Sequence, residues 1–214
     1  MHAEIPTKQE IQDSLASRHG QELQQTLSKA TVAICGLGGL GSHIAFALAR
    51  AGIGTLHLID FDEVDLSNIN RQQYNISQIG MPKTEALKQN LLQIMPYLNI
   101  ITDTVRLTES NISKLLKPDD IICEAFDDAA TKSMLANHVL EHYPDKYLIC
   151  GSGMAGISSG NEIRTRKITE HFYICGDEKS SVTEENALFA SRVMICAAHQ
   201  AHMVIRILAG KPEG

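Results

Sequence analysis

The chain has 214 residues, about the length of one domain, and 43% of them are hydrophobic, which suits a folded core and excludes disorder. Nineteen Lys and Arg against 25 Asp and Glu leave a net charge of −6, which disfavours non-specific binding to nucleic acid. Five cysteines, at 35, 123, 150, 175 and 196, form no C-x-x-C pair, so neither a disulfide framework nor a cysteine zinc site is supported and a reducing compartment fits.

The first residues are polar and acidic and lack the basic start and apolar core of a secretory signal. Residues 7–29 set Ile11, Leu15 and Leu27 among charges, a weakly amphipathic helical segment with a break near Gly20. Residues 30–49 carry no charge, a membrane-span length of 20 positions, but their middle is a glycine turn. They read instead as a strand (31–35), a turn (36–41) and a helix (42–51) closed by Gly52. No membrane segment remains, and a cytoplasmic location is expected. A second strand (55–60) ends at Asp60. An acidic, polar loop of about 20 residues without period follows, a length that usually signals function.

Residues 83–95 read as a helix with Pro82 at its edge. Strand-like residues 100–105, a short helix at 111–116, a strand at 120–125, a helix at 129–142 and a strand at 146–152 come next. A hairpin within 163–174 and a long helix over 189–209, stopped by Gly210, complete the chain. Alternating strands and helices predict an α/β, Rossmann-like fold: a mostly parallel sheet with helices on both faces and a C-terminal antiparallel extension. A single domain over 1–214 is expected, with an N-terminal helical segment (1–29), a nucleotide-binding core (30–153) and a hairpin with a last helix (154–214).

The turn Gly36-Leu37-Gly38-Gly39-Leu40-Gly41 reads G-x-G-x-x-G between a strand and a helix, the context a dinucleotide fingerprint requires. Glycines permit the tight turn and let a phosphate approach the backbone, and the helix N-terminus offers free N–H groups. Asp60 stands 19 residues after Gly41, where a carboxylate meets a ribose hydroxyl. A Walker A motif would need Lys then Ser or Thr next, but Ser42 and His43 stand there. A nicotinamide dehydrogenase remains open on the glycines and Asp60 alone. The loop after Asp60 favours a triphosphate, because it supplies Asn68 and Arg71, and Lys83 follows it. Nucleotidyl transfer builds negative charge that Arg and Lys stabilise.

GLGGLGS, LIDFDEVDLSNINRQ, MPKTEA and CEAFDDA together resemble the ThiF/MoeB/HesA family, bacterial relatives of ubiquitin-activating enzyme, over residues 15–210. The match is closest to a short ThiF-like branch linked to thiamine biosynthesis. The resemblance implies an adenylyltransferase that uses ATP and Mg²⁺. It would activate the C-terminal carboxylate of a ubiquitin-like sulfur carrier ending in Gly-Gly. It implies that Gly36, Gly38, Gly39 and Gly41 form the phosphate turn, that Asp60 holds the ribose, and that Asn68, Arg71 and Lys83 contact the triphosphate. It assigns Mg²⁺ to Asp127 and gives Arg18 to the partner's site in a homodimer. Three departures stand out. Asp127-Asp128 replaces the family's Asp-Asn pair, the zinc-binding C-x-x-C pairs of the longer members are absent, and the place where some members carry a sulfur-transfer cysteine falls near Thr183, with no cysteine. Cys175 is read as a partly buried, inert thiol.

Alternatives are a tRNA threonylcarbamoyladenosine dehydratase-like enzyme, which would adenylate a small molecule on tRNA, an NAD-dependent dehydrogenase, and a non-catalytic adaptor. Cys196, His199 and His202 share one face of the last helix and are read as packing and surface positions rather than a metal site. Arg164, Arg166 and Lys167 form a basic strand face that could meet an acidic carrier.

Overall fold

In the computed structural model, which describes residues 4–183 and 186–212, two helices precede the sheet. Helix α1 (Lys8–His19) starts from a capping box in which Thr7 and Glu10 satisfy each other's backbone N–H. Gly20, at φ +94°, breaks it from α2 (Gln21–Leu27), where the sequence places the break. Then β1 (Thr31–Cys35), α3 (Gly39–Ala51), β2 (Thr55–Ile59), α4 (Lys83–Ile94), β3 (Asn99–Asp103), α5 (Ile112–Leu115), β4 (Ile121–Glu124), α6 (Ala129–His142) and β5 (Tyr147–Gly151) alternate. Strands β6 (Arg164–Lys167) and β7 (Phe172–Gly176) and helix α7 (Ala190–Leu208) follow. No described helix is long and apolar enough to cross a membrane.

The strands form one sheet in the order β3-β2-β1-β4-β5-β7-β6. Alternate residues of β1 feed opposite faces. Val32 and Ile34 join the core with Ile44 and Leu48 of α3, Leu87 and Leu91 of α4, and Val204 of α7. Ala33 and Cys35 join the other with Ile112 of α5 and Leu135 and Val139 of α6. This two-sided burial is why residues 32–35 of β1 and 121–123 of β4 are consecutive apolar residues. From β1 the chain moves to β2 and β3 on one side, and β4 and β5 lie on the other. The strand order therefore reverses between β1 and β4, and a crevice opens beyond their carboxyl ends.

One boundary differs from the expected one. Helix α3 begins at Gly39, three residues earlier than the sequence suggests, so the glycine turn is itself the first helical turn. The expected hairpin is present, β6 and β7 pairing antiparallel, and it extends the main sheet. Strand β7 pairs parallel with β5, Leu148 facing Phe172 and Gly151 facing Cys175, and only β6 runs antiparallel. The open edge of β5 has backbone groups to satisfy, and β7 satisfies them.

His57, in the middle of β2, is buried between two carboxylates. Its Nδ1 lies 2.9 Å from Asp119 Oδ2 and its Nε2 2.8 Å from Asp103 Oδ2. Both nitrogens can donate only in the imidazolium. Burial pulls the imidazole pKa down, but Asp119 and Asp103 outweigh it and raise the pKa above the usual 6.5. Stability from a raised folded-state pKa is complete below the unfolded value and is lost as pH rises through the folded one. The melting temperature should therefore fall as pH rises from about 6.5 through the raised folded-state value, and His57→Gln should flatten that slope. An unchanged slope in the variant would remove His57 as the titrating group. Deleting the imidazole in His57→Ala should cost about 3–5 kcal/mol, as when a buried pair loses one partner.

Candidate active site

The crevice at the carboxyl ends of β1, β2 and β4 holds a cavity of about 1060 Å³. The turn between β1 and α3 forms one wall, through Gly36, Gly38 and Gly39. Gly36 adopts φ +91°, and a Cβ there would stand 2.8 Å from the Ala125 carbonyl oxygen, so only glycine fits. Gly41 has a different task from the one the resemblance assigns. It does not line the cavity, and a Cβ on it would lie 1.8 Å from the Gly36 carbonyl oxygen. It lets α3 pack against the turn rather than letting a phosphate approach.

Asp60 lies just past β2 and is almost buried. One carboxylate oxygen accepts the Leu37 N–H at 2.6 Å and the other accepts the Asp62 N–H at 2.8 Å. It thus ties the glycine turn to the neighbouring strand, and each oxygen keeps a lone pair for a ligand hydroxyl. Burial raises its pKa, while Lys83 and these N–H groups act the other way.

The loop of residues 61–82 is ordered by polar side chains, which is why it shows no apolar period. Asp65 caps a short 3-10 turn (Leu66–Asn68), and Asn68 Oδ1 accepts the Asp65 N–H at 3.1 Å. Buried Gln78 donates to the Ala86 carbonyl and to Asn90. Val64 donates to the Met81 carbonyl and Lys83 N–H to that of Asp62, so the loop returns to α4 beside Asp60. Asn68, Arg71 and Lys83 all line the cavity. Lys83 sits in the first turn of α4, with its side chain 7% exposed and its Nζ 2.9 Å from Asp62 Oδ2. Asp62 carries no motif signal of its own, because its pairing with Lys83 spans 21 positions. Arg71 folds onto its own loop, donating to Ser67 O and Asn70 Oδ1, both at 2.9 Å. His43 lies 3.2 Å from the Arg71 carbonyl oxygen through Nε2 and so braces that loop.

Between β4 and α6, Asp127 is exposed, lines the cavity and has no hydrogen bond or ion pair among the described residues. Asp128 is committed elsewhere. It caps α6 by accepting the Thr131 hydroxyl and N–H, both at 2.7 Å, which lower its pKa. Asp127 is thus an uncommitted hard oxygen donor at the cavity, which fits Mg²⁺ held by one carboxylate plus phosphates and water. Two further cations line the cavity, Lys132 of α6 and Arg106 after β3. The Arg106 guanidinium lies 3.9 Å from the centroid of the Phe61 ring. Their signal in the sequence was position alone: one lies in the first turns of a helix, the other at a strand's carboxyl end, both of which face such a crevice.

Arg18 does not join this site. It is exposed on α1, and Leu15 of that helix packs near Gly52, at the amino ends of the strands. Cys175 is fully rather than partly buried, because β7 lies inside the sheet, and burial pushes its thiol up to about 11. Cys196 donates to the Cys175 carbonyl, and His199 Nδ1 lies 2.9 Å from Thr165 Oγ1, so both serve packing between α7 and the sheet. Thr183 forms an isolated bridge with Asn186. On β6, Arg164, Arg166 and Lys167 are exposed, and Arg166 pairs with Glu178.

A family model described as the ThiF family matches residues 12–214. The molybdopterin-synthase adenylyltransferase of Escherichia coli (strain K12) is 30% identical over 200 residues, covering 87% of this chain and 76% of that protein. The tRNA threonylcarbamoyladenosine dehydratase of Bacillus subtilis (strain 168) is 36% identical over 138 residues, 64% of this chain and 54% of that protein. The Anopheles gambiae adenylyltransferase and sulfurtransferase MOCS3 is 37% identical, but the match spans only 28% of its length and 56% of this chain. The crystal structure of E. coli tRNA N6-threonylcarbamoyladenosine dehydratase, TcdA, in complex with ATP has the same fold. Its TM-score is 0.86, over 97% of this chain and 98% of that one, at 18% identity.

Proposed function

The chain belongs to the ThiF family, and from that premise we propose that it is an ATP- and Mg²⁺-dependent adenylyltransferase acting on a carboxylate. The observation that carries this reading is one cavity holding the glycine turn, Lys83, Arg71 and an unpaired Asp127. In the reaction a carboxylate oxygen attacks the α-phosphorus of ATP. The bond from that phosphorus to the bridging oxygen breaks, and pyrophosphate leaves with the electron pair. The attacking carboxylate is already ionised near neutral pH, so no general base is needed. Positioning and charge neutralisation carry the catalysis. Asp60 orients the ribose, and Asn68, Arg71 and Lys83 meet the triphosphate. Asp127 holds Mg²⁺, which neutralises phosphate charge when bound.

The acceptor we favour is the Gly-Gly tail of a ubiquitin-like sulfur carrier of the kind used in thiamine biosynthesis. The far side of the cavity is lined by Gly151, Ser152, Gly153 and Ala155, small residues that suit a slender tail. Identity to the B. subtilis dehydratase supports a second reading, adenylation of a carboxylate on tRNA. Pyrophosphate exchange separates the two. A Gly-Gly carrier should stimulate it and threonylcarbamoyladenosine tRNA should not, and the opposite pattern would reverse the assignment. ATP with Mg²⁺ should also raise the melting temperature and NAD should not.

Arg18 belongs to this proposal only across a dimer, since it lies away from its own cavity. Arg18→Ala should lower exchange about 10²-fold while leaving ATP binding nearly intact. Mixing it with Lys83→Ala under subunit exchange should restore activity, because each mixed dimer regains one intact site. No recovery despite proven exchange would remove Arg18 from the active site.

A further inference from the structure

The turn that carries Asp127 is held by a buried ion pair. Glu124, the last residue of β4, has a side chain only 1% exposed, and Lys132, in α6, has one 25% exposed. Glu124 Oε1 accepts both the Phe126 N–H at 2.7 Å and the Lys132 ammonium at 2.9 Å. The same ammonium donates to the Phe126 carbonyl at 2.9 Å. Both backbone polar groups of the residue before Asp127 are therefore fixed by one ion pair. Helix stability does not explain this lysine. It stands near the amino end of α6, where the macrodipole opposes a cation. Nor does burial favour the pair, since taking two charges from water costs more than an apolar contact would. Lys132 also lines the cavity.

We propose that Glu124 and Lys132 are positioning residues, which fix the Phe126 peptide groups and so the direction in which Asp127 presents its carboxylate to a phosphate-bound cation. This rests on the adenylyltransferase reading. The clamp acts on the approach to Asp127 and leaves the glycine turn and Lys83 untouched. Its loss should therefore weaken the Mg²⁺-dependent part of nucleotide binding and spare the rest.

The test is titration calorimetry of ATP with and without Mg²⁺ on wild type, Lys132→Met, Lys132→Arg and Glu124→Gln. In wild type, Mg²⁺ should tighten ATP binding. In Lys132→Met that tightening should shrink at least tenfold, while the Mg²⁺-free Kd stays within twofold. Lys132→Arg, which can still reach both acceptors, should recover most of it. Glu124→Gln keeps the side-chain volume and an acceptor for Phe126 N–H, so it provides a folded variant with a partial loss. Full Mg²⁺-dependent tightening in either Lys132→Met or Glu124→Gln would overturn the positioning role alone. Absence of any tightening in wild type would overturn the reading beneath it. Equal loss with and without Mg²⁺ would make the pair merely structural and would also overturn the proposal.

Discussion

Asp127→Ala should fold normally and lose Mg²⁺-dependent pyrophosphate exchange by about 10³-fold, roughly 4 kcal/mol of transition-state stabilisation. The structure separates the two effects. Asp127 is exposed and has no hydrogen bond or ion pair among the described residues, so its removal should change stability by no more than about 0.5 kcal/mol. Asp128, one residue on, caps α6, and Asp128→Ala should instead cost about 1 kcal/mol of stability with a smaller loss of activity. The two variants thus form a pair with opposite signatures in a melt and an exchange assay. Normal exchange in Asp127→Ala would move the metal to another ligand.

Lys83→Met should lower the exchange rate by about 10²–10³-fold with a modest change in the KM for ATP. The ammonium meets charge that grows as pyrophosphate departs, so its loss falls on kcat. The side chain is nearly buried, and Met can fill the volume of its stem. The abandoned partner, Asp62, has a side chain 47% exposed and can return to water, so no large penalty in stability is expected. A fall in KM-based affinity with kcat preserved would show that Lys83 only binds ATP and does not act on the transition state.

Both predictions depend on residues that the sequence exposes unevenly. The unit from β1 through the glycine turn to α3 and Asp60 is legible by itself. Its signals are local: an apolar run, glycines at fixed spacing, a carboxylate at a strand end. The glycine at 36 is itself the signal for a turn at φ +91°, although the nearby Ala125 carbonyl that also excludes a Cβ comes from a distant strand end. Asn68, Arg71, Lys83 and Asp127 could be named from motif resemblance, and the fold does bring all four to one cavity. Their working state was not legible. Arg71 is held on its own loop and Lys83 on Asp62 by hydrogen bonds that depend on how residues 61–82 close.

Other features were set by tertiary packing alone. Gly41 looks like a phosphate contact in a string of glycines, yet α3 packs so closely on Gly36 that a Cβ has no room there. Cys175 reads as a partly buried thiol after a hairpin, and the parallel pairing of β7 with β5 buries it fully. His57 resembles any histidine in a strand. Its ion pairs come from residues 46 and 62 positions away, joined only when β2 and β3 pair and the chain returns before β4. Arg18 and Lys132 show the same limit in opposite directions. One carries a resemblance but lies apart from the cavity of its own chain; the other carries none but clamps the turn beside Asp127. Periodicity and turn chemistry are encoded by near neighbours, so the sequence alone determined the elements and the nucleotide turn. Contacts across tens of residues form only when the sheet closes, and those were decided by the fold.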